Sequence, residues 1–155
     1  MENGTSPSPT PAHAGRSALI IDDEAEVGLI LSEMLTALGM RCDVVTSGEA
    51  AIERLEERGY DVIICDVRLP GIDGPALYAW IAERRPHLCA RTAFITGDTL
   101  GQASERFLAQ ARRPLLEKPF LPSDVARLID ELLSIREGQD GIATDRIGVS
   151  GPPIQ

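Results

Sequence analysis

Tyr60-Asp61-Val62-Ile63-Ile64-Cys65-Asp66-Val67-Arg68-Leu69-Pro70-Gly71-Ile72-Asp73-Gly74 is the stretch on which the reading of this chain turns. Its apolar run, Val62 to Cys65, stops at a carboxylate. A loop with Pro70, Gly71 and Gly74 follows, and a helical pattern begins after it. An apolar run bounded by turn residues reads as a strand buried on both faces. Asp66 then sits at the strand's C-terminal end, where open α/β sheets place their ligand crevices.

Outward from that strand the pattern alternates. Ala18-Leu19-Ile20-Ile21 is an apolar run ending in Asp22-Asp23. Val27, Ile30, Leu31, Met34, Leu35 and Leu38 then recur at the spacing of one helix face, with Gly39 as its stop. Cys42 to Val45 is a second, weaker strand, and Ser47 is placed to cap a helix carrying Ala51, Ile52 and Leu55. After the central strand, Leu77, Trp80 and Ile81 mark a third helix that cannot pass Pro86. Thr92 to Ile95 is a fourth strand, and residues from about Gly101 to Ala111 are helical in composition. Pro114-Leu115-Leu116 is a short fifth strand. Pro122 opens a last helix with Val125, Leu128, Ile129 and Leu132 facing inward.

Five strands alternating with five helices imply βαβ units and a parallel sheet, built as a three-layer, doubly wound α/β sandwich. The flanks differ in composition. Met1 to about Arg16 is rich in Ser, Thr, Pro, Gly and Ala, and reads as a disordered leader or linker. The chain from 137 to 155, with Gly138, Gly141, Gly148, Gly151, Pro152 and Pro153, reads as a disordered tail. One domain over 17–136 remains.

The totals narrow the function. The chain of 155 residues is 43% hydrophobic and 25% charged, ordinary for a globular protein. Its net charge of −9 disfavours direct contact with DNA or RNA, which usually needs a basic patch. No apolar stretch is long enough for membrane insertion, and no signal peptide is visible. Cys42, Cys65 and Cys89 lack metal-type spacing and point to free thiols in a reducing, cytoplasmic compartment. His13 and His87 have no partner suggesting a triad or a zinc site.

In a parallel sheet the strand C-termini share one edge. The residues at those ends are Asp22 and Asp23, Asp66, Thr96 and Lys118. Clustered carboxylates raise one another's pKa unless a cation joins them, and Mg²⁺ suits one or two carboxylates plus phosphate oxygens. A phosphoryl group at Asp66 would be neutralised by the metal and Lys118, with a hydrogen bond from Thr96. A carboxylate nucleophile yielding an aspartyl phosphate is established chemistry. Taken alone, Asp22 and Asp23 also suit a solvated helix start, and Lys118 a surface charge.

Ile21-Asp22-Asp23-Glu24, the run Cys65 to Gly74, Ile95-Thr96-Gly97 and Glu117-Lys118-Pro119-Phe120 together resemble the receiver domain of two-component response regulators, over roughly Ser17 to Ile135. The resemblance implies a flavodoxin-like fold with strand order 2-1-3-4-5. It implies a phosphorelay switch with Asp66 as phosphoacceptor, fed by a histidine kinase or a histidine phosphotransfer protein. Asp23 and Asp66 would ligate Mg²⁺ with the Arg68 backbone carbonyl, and Asp22 would act nearby or through water. Thr96 would be the switch hydroxyl, and Lys118, before an often cis Pro119, the phosphate-pairing cation. Phosphorylation would change affinity for a downstream protein target, and a homodimer is open to it. Such a chain would phosphorylate itself and lose the group slowly rather than turn over a substrate.

Many receivers carry Tyr or Phe where Leu115 stands, which puts the ring-coupled readout in doubt. Leu115 together with Phe120 looks like receivers at the C-terminal end of hybrid histidine kinases. The Arg68 side chain either steers water at the phosphoryl group or faces solvent. Two other functions compete. One is a Mg²⁺-dependent phosphatase with Asp66 as nucleophile, although Arg68 stands where such enzymes generally place a second Asp. The other is a degenerate receiver that only binds proteins or dimerises.

Overall fold

The computed structural model describes residues 13–97 and 101–134. The expected tail 137–155 and residues 1–12 of the expected leader lie outside the described residues. The elements run β1 (Ser17–Ile21), α1 (Ala25–Ala37), β2 (Arg41–Val45), α2 (Gly48–Glu57), β3 (Val62–Asp66) and α3 (Gly74–Arg84). A 3-10 segment (Pro86–Arg91), β4 (Thr92–Thr96), α4 (Gln102–Ala111), β5 (Leu115–Glu117) and α5 (Pro122–Leu133) complete them. All five strands are parallel, in the order β2-β1-β3-β4-β5.

β3 and β4 are buried at every residue, and β1 at all but its first. Helices therefore cover both faces, which is why these strands read as continuous apolar runs. Strand alternation sorts the side chains into two cores. Ala18, Ile20, Val62 and Ile64 meet Leu31 and Leu35 of α1 and the four inward residues of α5. Leu19, Ile21, Ile63, Cys65 and Phe94 meet Ala51 and Leu55 of α2 and Leu77 and Ile81 of α3. Each fully buried Leu or Ile contributes about 1.5–3 kcal/mol.

The local signals act as their chemistry dictates. Ser47 caps α2 by accepting a hydrogen bond from Ala50 N–H at 3.1 Å. Pro122 opens α5, and the Asp124 carboxylate accepts the Leu121 N–H at 2.8 Å. Trp80 is half-buried on α3, with the Arg84 and Arg85 guanidinium groups 5.7 and 6.0 Å from its ring centre.

α1 departs from its expected face. Ile30 is 49% exposed, beside Leu29 at 58%, whereas Gly28, Leu31 and Leu35 are buried. Gly28 explains the rotation. A Cβ there would lie 2.7 Å from Val44 Cγ1, so α1 sits tightly on β2 along its glycine and turns Ile30 outward. The 3-10 segment after α3 is a second departure. Its Leu88 is 3% exposed, and the Leu88 carbonyl accepts the Thr92 hydroxyl at 2.7 Å. His13–Arg16, assigned to the leader by composition, are hydrogen-bonded to the domain. His13 N–H donates to Leu38 O at 3.2 Å, Gly15 N–H to Gly39 O at 3.3 Å, and His13 Nε2 lies 2.9 Å from Asp130 Oδ1.

Candidate phosphoacceptor site

β1, β3 and β4 stop in register, with Ile21 beside Cys65 and Asp66 beside Ile95. The next polar residues therefore emerge together. Asp22 follows β1, and its N–H donates to Val45 O at 3.1 Å, so the chain is still tied to β2 where it turns. Asp22 is fully buried, Asp66 is 6% exposed and Thr96 is 4% exposed. Asp23 is exposed. One carboxylate oxygen from each of Asp22, Asp23 and Asp66 lies within 4.8 Å of the others.

Lys118 reaches in from the far side. Its N–H donates to Thr96 O at 2.9 Å, which ties the end of β5 to β4, and the Lys118-Pro119 peptide is cis. Lys118 Nζ lies 2.9 Å from Asp66 Oδ2, 2.7 Å from Glu24 Oε1 and 3.2 Å from Asp22 Oδ2. Arg68 contributes its amide from the loop after β3, donating to Asp66 Oδ1 at 2.8 Å. The loop leaves no room behind it. A Cβ on Gly74 would lie 2.8 Å from Val67 Cα and 3.0 Å from Asp66 O. Asp73 then caps α3, accepting from Ala76 N–H at 3.0 Å.

The electrostatics follow from this crowding. Burial, reinforced by the charge of Asp66, pushes the Asp22 carboxyl from 3.8 up to about 6, against the Glu24 N–H bond and Lys118. Burial pulls on Lys118 in the opposite sense, but hydrogen bonds to Glu24 and Asp66 outweigh it and raise its pKa. Asp22 Oδ2 is buried and completes no hydrogen bond, although Lys118 Nζ is at ion-pair distance. An orphaned carboxylate oxygen among three converging carboxylates fits a hard divalent cation. Cys65 is inert: burial, followed by the neighbouring carboxylates, holds its thiol well above its usual range.

The structure thus brings Asp22, Asp23, Asp66 and Lys118 together and sets Thr96 at the adjoining strand end. Arg68 lies on the same loop through its amide. Glu24 was missed as a Lys118 partner. It is an exposed acid next to an acidic pair, and only the path of Lys118 across the sheet edge singles it out.

Residues 18–130 match the family described as response regulator receiver domain. The chain belongs to that family. It is 31% identical over 117 residues to the DNA-binding transcriptional regulator NtrC of Klebsiella pneumoniae, across 76% of this chain and 24% of that protein. It is 27% identical over 126 residues to the sensor kinase CckA of Brucella abortus, across 80% of this chain and 13% of that one. The chain therefore spans a quarter or less of these two relatives' length. The solved CheY-like receiver domain protein of Methanospirillum hungatei shares the fold. Its TM-score is 0.69 at 21% identity, across 77% of this chain and 94% of that one. Among the described residues no helix is long and apolar enough to cross a membrane.

Proposed function

We propose that this receiver is a phosphorylation-dependent signalling switch whose phosphoacceptor is Asp66. The observation that carries it is the convergence of Lys118 on Asp66 and Asp22 at a single sheet edge. A carboxylate oxygen of Asp66 attacks the phosphorus of a phosphohistidine on a histidine kinase or phosphotransfer protein. The phosphorus–nitrogen bond breaks, its electron pair returns to the imidazole, which takes up a proton, and an acyl phosphate forms. Lys118 pairs with a phosphoryl oxygen, the Thr96 hydroxyl donates to another, and the Arg68 amide holds the acceptor carboxylate. Asp23, Asp66 and the Arg68 carbonyl would hold Mg²⁺, with Asp22 nearby or through water. When bound, the ion neutralises the phosphoryl oxygens.

The chain takes up the phosphoryl group and loses it slowly, as a switch rather than a turnover enzyme. Arg68 stands where an aspartate-nucleophile phosphatase would need its general acid. The phosphorylated state shifts a conformational equilibrium and with it the affinity for a protein target. The switch unit is taken as 17–136. Similarity to a sensor kinase, CckA, and to a transcriptional regulator, NtrC, fits a receiver that works within a larger signalling protein. The three free cysteines and the phosphohistidine donor fit the cytoplasm.

The test is intact-mass analysis after incubation with acetyl phosphate, with and without Mg²⁺, on wild type and Asp66→Asn. A Mg²⁺-dependent gain of one phosphoryl group in wild type alone is expected. An equal gain in the variant would refute Asp66. No gain in folded wild type, with a cognate phosphodonor failing too, would refute the switch.

A further inference from the structure

Lys118 is the one lysine in the chain, and its ammonium is shared among three carboxylates. An ammonium has three N–H donors and accepts nothing. Two of them donate to Glu24 Oε1 at 2.7 Å and Asp66 Oδ2 at 2.9 Å, and Asp22 Oδ2 stands 3.2 Å from the same nitrogen. A phosphoryl oxygen arriving at Asp66 therefore meets a cation already held by carboxylates. The three are not held alike. Asp22 is fully buried, and its Oδ1 accepts the Glu24 N–H at 2.8 Å. Asp66 is the acceptor itself, fixed through Oδ1 by the Arg68 N–H. The Glu24 side chain is 63% exposed. Glu24 is the N-cap residue of α1, where a side chain usually bonds the first turn, yet its carboxylate makes no capping hydrogen bond and turns to Lys118 instead.

We propose that Glu24 is a positioning residue that stands in the place of a phosphoryl oxygen on Lys118 and swings out to water when the phosphoryl group arrives. The inference rests on the proposed function and names the contact that the incoming group displaces. Release is easy for Glu24, because an exposed ion pair holds weakly and the freed carboxylate regains its water. Lys118 meanwhile keeps an anionic partner. The same exchange at Asp22 would leave a buried carboxylate without its cation, which costs far more. Until then Glu24 keeps the ammonium beside Asp66, and its competition for Lys118 lowers the affinity of the site for a phosphoryl group.

Lys118 is its own reporter, since isotope labelling of lysine in the full chain gives NMR a single side-chain ammonium. Wild type, Glu24→Ala and Glu26→Ala are compared, each first shown folded by its amide spectrum. Glu26, exposed on the first turn of α1, is the control for charge alone. Spectra are recorded without ligand and with Mg²⁺ plus beryllofluoride, whose fluorines stand for phosphoryl oxygens on Asp66. Glu24→Ala should move the ammonium signal of the free protein and Glu26→Ala should not. Beryllofluoride should remove most of the difference between wild type and Glu24→Ala. Titrated in saturating Mg²⁺, it should bind Glu24→Ala about two- to fivefold more tightly than wild type, the range that loss of one exposed ion pair spans, and Glu26→Ala as it binds wild type. The inference is overturned, with the switch left standing, by an unmoved ammonium signal in free Glu24→Ala or by a difference that survives beryllofluoride. Binding to Glu24→Ala no tighter than to wild type, or an equal gain in Glu26→Ala, overturns it too. A wild type whose Arg68 amide does not respond to beryllofluoride sinks the switch, and this inference with it.

Discussion

Asp22→Asn should make the metal-free protein more stable at neutral pH. The Asp22 carboxyl is fully buried, carries an oxygen with no hydrogen bond and titrates near 6 instead of 3.8. At about 1.4 kcal/mol per tenfold shift, its ionised form costs the fold about 3 kcal/mol above pH 6. The sign follows from proton uptake. Between 3.8 and about 6 the folded state holds a proton that the unfolded state has released, so stability falls as pH rises through that window. Asparagine keeps an oxygen for the Glu24 N–H and removes the charge. In EDTA at pH 7.5 the variant's urea midpoint should rise by about 1–3 M, for a slope of about 1–3 kcal/mol per M. The difference should shrink towards zero near pH 4. Mg²⁺ should close most of that gap, because a ligand at a hundredfold its Kd adds about 2.7 kcal/mol to the state that binds it. A variant less stable than wild type in EDTA at pH 7.5, or a difference independent of pH, would refute the account of Asp22.

Two other substitutions test the frame that holds the site. Gly74→Ala should destabilise by about 1–3 kcal/mol, because its Cβ meets backbone atoms of Val67 rather than a side chain that can swing away. Gly59→Ala, where a Cβ meets nothing within 4 Å, should be neutral or slightly stabilising; urea melts of the pair separate steric from entropic effects. Ser47→Ala removes the hydrogen bond to Ala50 N–H and should lower stability by about 1 kcal/mol in the same melts, leaving acyl-phosphate formation unchanged.

The sheet was legible because β1, β3 and β4 are covered on both faces, so burial writes itself as uninterrupted apolar runs. The meeting of Asp22, Asp66 and Lys118 was legible for a related reason: parallel strands deliver their last residues to one edge. Helix faces were harder. Periodicity put Ile30 inward, but the side chain that decides the roll of α1 is Val44 of β2, resting on Gly28. The 3-10 segment hides in composition, since it buries one apolar residue, Leu88, and its Ala90 carbonyl is met by Arg113, 23 residues on. Glu24 escaped notice because its role depends on a lysine 94 residues away in sequence.

The hydrogen bonds of His13 and Gly15 to the end of α1 have a practical consequence. They bring the chain into the domain beside the start of β1, and α5 ends at the same pole. Asp66 lies at the other, about five strand residues or ~16 Å along the sheet. A surface linker or fluorophore attached through either described end would thus project from the side remote from Asp66. A biosensor chip that captured the domain at either described end would leave the sheet edge around Asp66 uncovered.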